Sequence, residues 1–478
     1  MLEKAAAVSP GRERLAQCLF EPKSVAILGA SRNPVKFGNH LVAILAAHGF
    51  QGDIYPLNPI AQEIAGIRCY PDLASLPGPC DLVVIALPAS EVLAAFESCI
   101  AHDVGAVVIV SSGFSEVGDA GRLLEAQLVQ ASRRSGLPFI GPNCEGFVNN
   151  PSSLFAVIAG AMFEVPARPG GVSLVAHSGA YTGYAYSEIA YQGVGIAKAV
   201  SSGNEAVLGL PELLALLDGD DQTKAVLLHL EGVRDAQRFR AAASRLALHK
   251  PLVINHVGRH PRSAVVASTH TAALAAPGRT LDAYYRQCGA VVTKNLEEMV
   301  DATVALATYV PPAGDRVAVI SFSGGMRVEM VDLLVESGFD VPDFSRETEL
   351  RLAEFIPGHG SRCNPVDMAD GLLRDPACAA KSMRAAADDE NIDVIVVLLT
   401  VTRNLDIARS VIAAAGDVAG KPVLLACTSQ KVSAPAVALM RDAGIPVFSS
   451  LQRVDNALRA LRTRRHALVR LREEACDA

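Results

Sequence analysis

Short apolar runs, rich in β-branched residues, recur along the chain, and each ends in a Gly, Ser or Pro turn before a helix-like stretch. Ser24–Leu28 leads into Gly29-Ala30-Ser31. Asp81–Leu87 ends at Pro88-Ala89, Gly105–Val110 at Ser111-Ser112-Gly113, and Pro138–Ile140 at Gly141-Pro142-Asn143. Runs of this kind, bounded by turn residues and separated by helical periodicity, predict buried parallel strands. Their alternation with helices predicts a doubly wound α/β sheet. The pattern then restarts. Gly171–Val175 leads into His177-Ser178-Gly179-Ala180, Ala225–Leu230 into Glu231-Gly232, and Pro251–Ile254 into a loop rich in Gly, Arg and His. Val310-Pro311-Pro312-Ala313-Gly314 reads as a linker. Beyond it, Val317–Ile320 leads into Ser321-Phe322-Ser323-Gly324-Gly325, and Asp393–Leu399, Pro422–Ala426 and Ile445–Phe448 follow as strands. Three consecutive doubly wound domains are therefore expected, at 1–145, 146–312 and 313–478. The Arg-rich stretch from Arg453 to Glu474 reads as a solvated closing helix.

A length of 478 residues suits three domains, and a hydrophobic fraction of 50% suits large cores. The net charge of -7, with both signs interspersed, argues against nucleic acid as the main partner. The 10 cysteines show no CxxC pair, so neither zinc spacing nor a dense disulfide scaffold is indicated, and reduced thiols in the cytoplasm are expected. No apolar run reaches roughly 18 residues, so no membrane span is expected.

Gly29-Ala30-Ser31, taken as a strand-to-helix turn, would offer backbone N–H groups to a phosphate. A structural turn explains it equally well, because the full GxGxxG fingerprint is absent. Context decides between them. SVAILGASRNPVKFGN, GFQGDIYPLNP, CYPDLASLP, DLVVIALPA, SSGFSEVG and FIGPNCEGFVNN occur in order over the first part of the chain. They resemble the CoA-binding domain of ADP-forming acetyl-CoA synthetases and of the succinyl-CoA synthetase α subunit. GGVSLVAHSGA, AVLLHLEGV, VASTHTAALA, ISFSGGM and CNPVDM extend the resemblance through nearly the whole chain.

The resemblance implies a Rossmann-like CoA-binding domain followed by two flavodoxin-like CoA-ligase domains. It implies that Gly29, Ser31, Asn58, Pro88 and Asn143 lie around CoA; Lys36 and Arg32 are close enough in sequence to offer positive charge to its phosphates. The implied reaction is acid + CoA + NTP ⇌ acyl-CoA + NDP + phosphate, through an acyl phosphate and a phosphohistidine. His270 is implied as the phosphoryl carrier, since a neutral imidazole nitrogen can accept the group and release it again. Glu231 is its implied carboxylate partner, fixing the tautomer. Ser178-Gly179 and Ser323-Gly324-Gly325 are implied helix starts that stabilise the phosphoryl charge. His177, His229 and His256 belong to the surroundings rather than to the nucleophile. No metal site is expected in this chain. The family's ATP-grasp region has no counterpart in the sequence, so NTP and Mg²⁺ are expected through an ATP-grasp β subunit in a hetero-oligomer.

Several positions depart from the family pattern. Thr269-His270-Thr271-Ala272 replaces Ser-His-Thr-Gly, and Ala276 replaces a glycine. His177 stands where Gln or Arg is usual, His256 where Lys is common, and Glu145 where an apolar residue or Pro is usual. These changes leave open a CoA- or acyl-CoA-binding protein without phosphoryl relay. A nicotinamide-dependent oxidoreductase is the weaker alternative.

Overall fold

The structure is a computed structural model that describes residues 10–164, 166–263, 278–418 and 420–477. After β1 (Ser24–Leu28) and β2 (Asp53–Leu57), a small hairpin pairs β3 (Glu63–Ile64) with β4 (Ile67–Arg68). β5 (Leu82–Ile85), β6 (Ala106–Ile109) and β7 (Phe139–Ile140) complete a five-stranded sheet ordered β2-β1-β5-β6-β7. Every pairing in it is parallel. Helices cover its faces with apolar residues at helical spacing, such as Leu41, Val42, Ile44 and Leu45, or Val92, Ala95, Phe96 and Cys99.

The second sheet has seven strands: β8 (Gly146–Asn149), β9 (Leu154–Val157), β10 (Pro169–Ala176), β11 (Ile196–Ser201), β12 (Ala225–Leu230), β13 (Leu252–His256) and β14 (Val291–Thr293). Their order is β14-β13-β12-β10-β11-β8-β9. β10, β11, β12 and β13 pair in parallel, whereas β8 runs antiparallel to both β11 and β9. This antiparallel hairpin was not expected. Its strands are short and sit on either side of Asn150-Pro151-Ser152-Ser153, whose polar residues read as loop.

The third sheet joins β15 (Val317–Ser321), β16 (Val366–Asp367), β17 (Val394–Leu399), β18 (Val423–Cys427) and β19 (Val447–Phe448). It is ordered β16-β15-β17-β18-β19 and is parallel throughout.

The chain divides into two compact units, Met1–Ser187 with Gly195–Val292, and Glu188–Val194 with Thr293–Ala478. Within the first, the opening helix Pro10–Phe20 is tied to the second sheet. Asn149 Nδ2 donates to the Phe20 carbonyl at 2.6 Å, Ser152 Oγ at 3.2 Å, and the Phe20 ring meets Phe147 edge-on at 5.8 Å. Within the second, the closing helix Leu451–Asp477 is not the solvated element expected. Val454, Ala457, Leu458, Leu461 and Leu471 are buried, and Arg453 Nε donates to Asp301 Oδ1 at 2.7 Å. The 454, 457, 458, 461 spacing is one helical stripe, hidden in the sequence by the arginines around it. Among the described residues, no helix is long and apolar enough to cross a membrane.

Candidate functional site

The candidate CoA residues all fall at the carboxyl ends of the strands of the first sheet. Asn58 follows β2, Gly29 and Ser31 follow β1, Pro88 follows β5 and Asn143 follows β7. In the strand order β2-β1-β5-β6-β7 they line one edge in succession, and Gly29 and Pro88 flank the point where the winding reverses. That crevice is where open α/β sheets bind ligands.

The turn after β1 differs from expectation: its helix starts at Phe37, not directly after Ser31. Asn33 N–H donates to Ser31 Oγ at 3.1 Å and Val35 N–H to Asn33 Oδ1 at 3.0 Å. Side chains thus capture N–H groups that a helix would need, and Pro34 biases Asn33 away from helical angles. Gly29, at φ +95, is required by packing, since a Cβ there would lie 2.4 Å from Ala86 O. Asn58 is committed to the same framework. Its Nδ2 donates to Ala30 O, and its Oδ1 accepts from the N–H groups of Ile60 and Ala61. Arg32 and Lys36 are exposed on this turn and form no ion pair among the described residues. Two free cations beside a strand-end crevice suit a pyrophosphate-bearing ligand.

A cavity of about 350 Å³ brings Asn143, Cys144 and Glu145 opposite His177, Ser178, Gly179 and Ala180, with Phe37, Gly203 and Asn204 also on its wall. Three expected site residues, Asn143, Ser178 and Gly179, therefore share one space. Ser178 holds the cap position of helix Gly179–Tyr191, because its carbonyl accepts from Thr182 N–H at 3.0 Å. Glu145 lies directly over that helix start: a Cβ on Gly179 would fall 2.0 Å from Glu145 Cδ. Burial raises the Glu145 carboxyl above its ordinary range.

Asn204 on the cavity wall and Glu205 behind it were passed over by sequence reasoning. Asn204 accepts from Asn143 Nδ2 at 3.2 Å, and its own Nδ2 lies at 2.8 Å from both Glu116 Oε2 and Glu125 Oε2. Glu205, at φ +51, places Oε1 2.9 Å from His177 Nε2. The Ser201–Glu205 stretch carried a signal in its Ser-Ser-Gly-Asn turn residues after an apolar run.

His177 Nδ1 accepts from the backbone N–H of Glu231 at 3.0 Å. The nearby carboxylates of Glu205 and Glu231 draw this imidazole towards protonation against the penalty of its burial. The Glu231 amide opposes them, because a second N–H on Nδ1 would face another donor. The geometry favours the neutral form with its proton on Nε2, facing Glu205. His229 stacks on Tyr181 at 3.9 Å and pairs Nδ1 with Asn255 Oδ1 at 3.0 Å, while His256 pairs Nδ1 with the Tyr285 hydroxyl at 2.8 Å. Burial lowers both to about 4, so both are neutral fixtures. Glu231 stands just past the end of β12, and its charge acts on both His177 and His229. His270 lies outside the described residues.

In the second unit, Ser323 caps helix Gly324–Glu336, its Oγ accepting from Met326 N–H at 3.5 Å. A Cβ on Gly325 would meet nothing within 4 Å, and one on Gly324 only Asp367 Oδ2 at 3.6 Å. These glycines are therefore not demanded by the packing of the chain, and they leave this helix start open.

Known proteins support one assignment. Residues 23–150 match the family described as a CoA binding domain, and residues 169–306 the succinyl-CoA ligase like flavodoxin domain. Acetate–CoA ligase (ADP-forming) I of Archaeoglobus fulgidus is 33% identical over 445 residues, covering 93% of this chain but 63% of that protein. The chain thus spans less than two thirds of that relative. The α subunit of acetate–CoA ligase (ADP-forming) I of Pyrococcus furiosus is 32% identical over 456 residues, covering 93% of this chain and 96% of the subunit. The solved structure of dinucleotide forming acetyl-coenzyme A synthetase 1 of Ca. Korarchaeum cryptofilum, in complex with phosphate and ADP, superposes with a TM-score of 0.88. It is 28% identical and covers 96% of this chain and 98% of that one. Matched nearly end to end with a curated α subunit, the chain belongs to the family of ADP-forming acetate–CoA ligases and their α subunits.

Proposed function

We propose that the chain is the CoA-binding and phosphohistidine subunit of an NDP-forming acyl-CoA synthetase, an acid–thiol ligase. The observation that carries this is the single cavity shared by the Asn143 turn of the CoA-binding part and the Ser178-Gly179 helix start of the ligase part. In this reading Arg32 and Lys36 hold the phosphates of CoA, and the turns at Gly29, Ser31, Asn58, Pro88 and Asn143 shape its crevice. In the direction of thioester cleavage, a phosphate oxygen attacks the acyl carbonyl and the CoA thiolate leaves, giving an acyl phosphate. His270 then takes the phosphoryl group and the carboxylate departs. Glu231 orients the imidazole of His270. The helix starts at Ser178-Gly179 and Ser323-Gly324-Gly325 receive the phosphoryl charge at successive stages. An ATP-grasp partner subunit, with NTP and Mg²⁺, exchanges the phosphoryl group with His270. The relatives favour neither a binding protein without relay nor an oxidoreductase.

The test is incubation of the chain with radiolabelled phosphate and a panel of acyl-CoAs. Acid-labile, base-stable label on the protein, absent from His270→Ala, is the expected result, and the acyl-CoA that supports it names the acid. No label with any acyl-CoA, while CoA still binds, would overturn the relay. Loss of CoA binding as well would overturn the reading altogether.

A further inference from the structure

Glu145 places a carboxylate where the proposed function needs a phosphoryl group. Its backbone is pinned on both sides: its N–H donates to Ser201 Oγ at 3.1 Å, and its carbonyl accepts from Ile158 N–H at 2.9 Å. From that fixed base the side chain reaches across to the start of helix Gly179–Tyr191. A Cβ on Gly179 would lie 2.0 Å from Cδ, 2.2 Å from Cγ and 2.4 Å from Oε1 of Glu145. The absent side chain of Gly179 thus makes room for an anion delivered from within the chain. The carboxylate is half-buried on the wall of the 350 Å³ cavity and forms no ion pair among the described residues. The positive end of the 13-residue helix is the favourable partner left to it. A phosphoryl group seeks that same partner. Two anions cannot share one helix start, since each would lose by repulsion what the helix offers. The adjoining cavity provides the space into which the carboxylate can swing.

We propose that Glu145 is a tethered competitor for the phosphoryl group at the Ser178-Gly179 helix start, so that phosphate gains this position only by displacing its carboxylate. The inference rests on the proposed function and specifies how access to that site is regulated. At rest the tethered carboxylate occupies the space over Gly179 and keeps free anions off the helix start. During turnover it returns to its place and helps expel the phosphoryl group.

The experiment is calorimetric titration of the full chain, and of Glu145→Gln and Glu145→Leu, with inorganic phosphate and separately with CoA. The half-saturating phosphate concentration of the acyl-CoA-dependent labelling reaction is measured in parallel. Glutamine keeps the shape and loses the charge, so it reports on competition even if the leucine variant unfolds. The expected result is phosphate binding tighter by about tenfold or more in Glu145→Gln, on the order of one charge–helix interaction. A matching fall in half-saturating phosphate should accompany it, with CoA affinity unchanged. Equal or weaker phosphate binding in Glu145→Gln overturns the proposal, as does phosphate binding to none of the three proteins. Failure of the functional reading looks different: neither CoA binding nor label at His270 in any of them.

Discussion

Gly203 shows how little room the site leaves. It has φ +60, and a Cβ there would fall 2.4 Å from Pro142 O and 2.6 Å from Asn143 O. Both obstacles are backbone atoms and cannot rotate away. Gly203→Ala is therefore expected to cost about 2–4 kcal/mol, from left-handed strain and overpacking together, and to lower the urea midpoint. The adjacent pair has a pH signature. Burial works against the Glu205 carboxylate, but the His177 Nε2–H and the Ser202 hydroxyl facing it outweigh burial and hold its pKa below the ordinary 4.5. A depressed acid stabilises the fold above 4.5, and this contribution fades as pH falls through the lower folded value. Glu205→Gln should accordingly lose stability at neutral pH and show a flatter acid limb, measured by thermal unfolding from pH 3 to 7. Neither pairing was legible in the sequence. Glu145 lies 34 positions before Gly179, and His177 28 before Glu205. Only tertiary packing joins them. The helix starts at 178–179 and 323–325 were legible, because an apolar run ending in Ser-Gly marks the passage from strand to helix locally.

The closing helix carries the lesson at the scale of elements. Its apolar stripe was obscured by arginines, and one of these reaches a fully buried acid. Burial pushes Asp301 up to about 6, against the offsetting charge of Arg453 and the Asn456 Nδ2 bond at 3.0 Å. Removing Arg453 would strand that carboxylate. Arg453→Leu is expected to destabilise the second unit by about 3–5 kcal/mol, read from its denaturant midpoint. The pH effect has the opposite sign to that of Glu205. Between 3.8 and about 6 the folded protein holds a proton that the unfolded chain has released, so stability falls as pH rises across that window. Asp301→Asn should abolish this slope. Most of the parallel strands were legible because burial on both faces makes them continuous β-branched runs, but β2 and β11, interrupted by Pro56 and Lys198, were passed over. The β8–β9 hairpin and β16 were not legible either, being too short to show a period.

At the scale of the molecule, the relatives occur both as a longer single chain and as an α subunit matched over nearly its whole length. The proposed division of labour predicts that the chain alone, given acid, CoA, NTP and Mg²⁺, forms no acyl-CoA. Adding an ATP-grasp subunit should restore synthesis, followed by thioester absorbance; synthesis by the chain alone would refute the division. The bonds from Asn149 and Ser152 to Phe20 bear on how such proteins are inherited. The opening helix of the CoA-binding part rests on side chains supplied from beyond its last strand, and Asn204 grips that part from the other side. A genetic exchange that imported a foreign first domain would bring a helix whose end lacks its Asn149 and Ser152 bonds. Lineages that fuse or split these genes are thus expected to keep the first two sheets together as one heritable block.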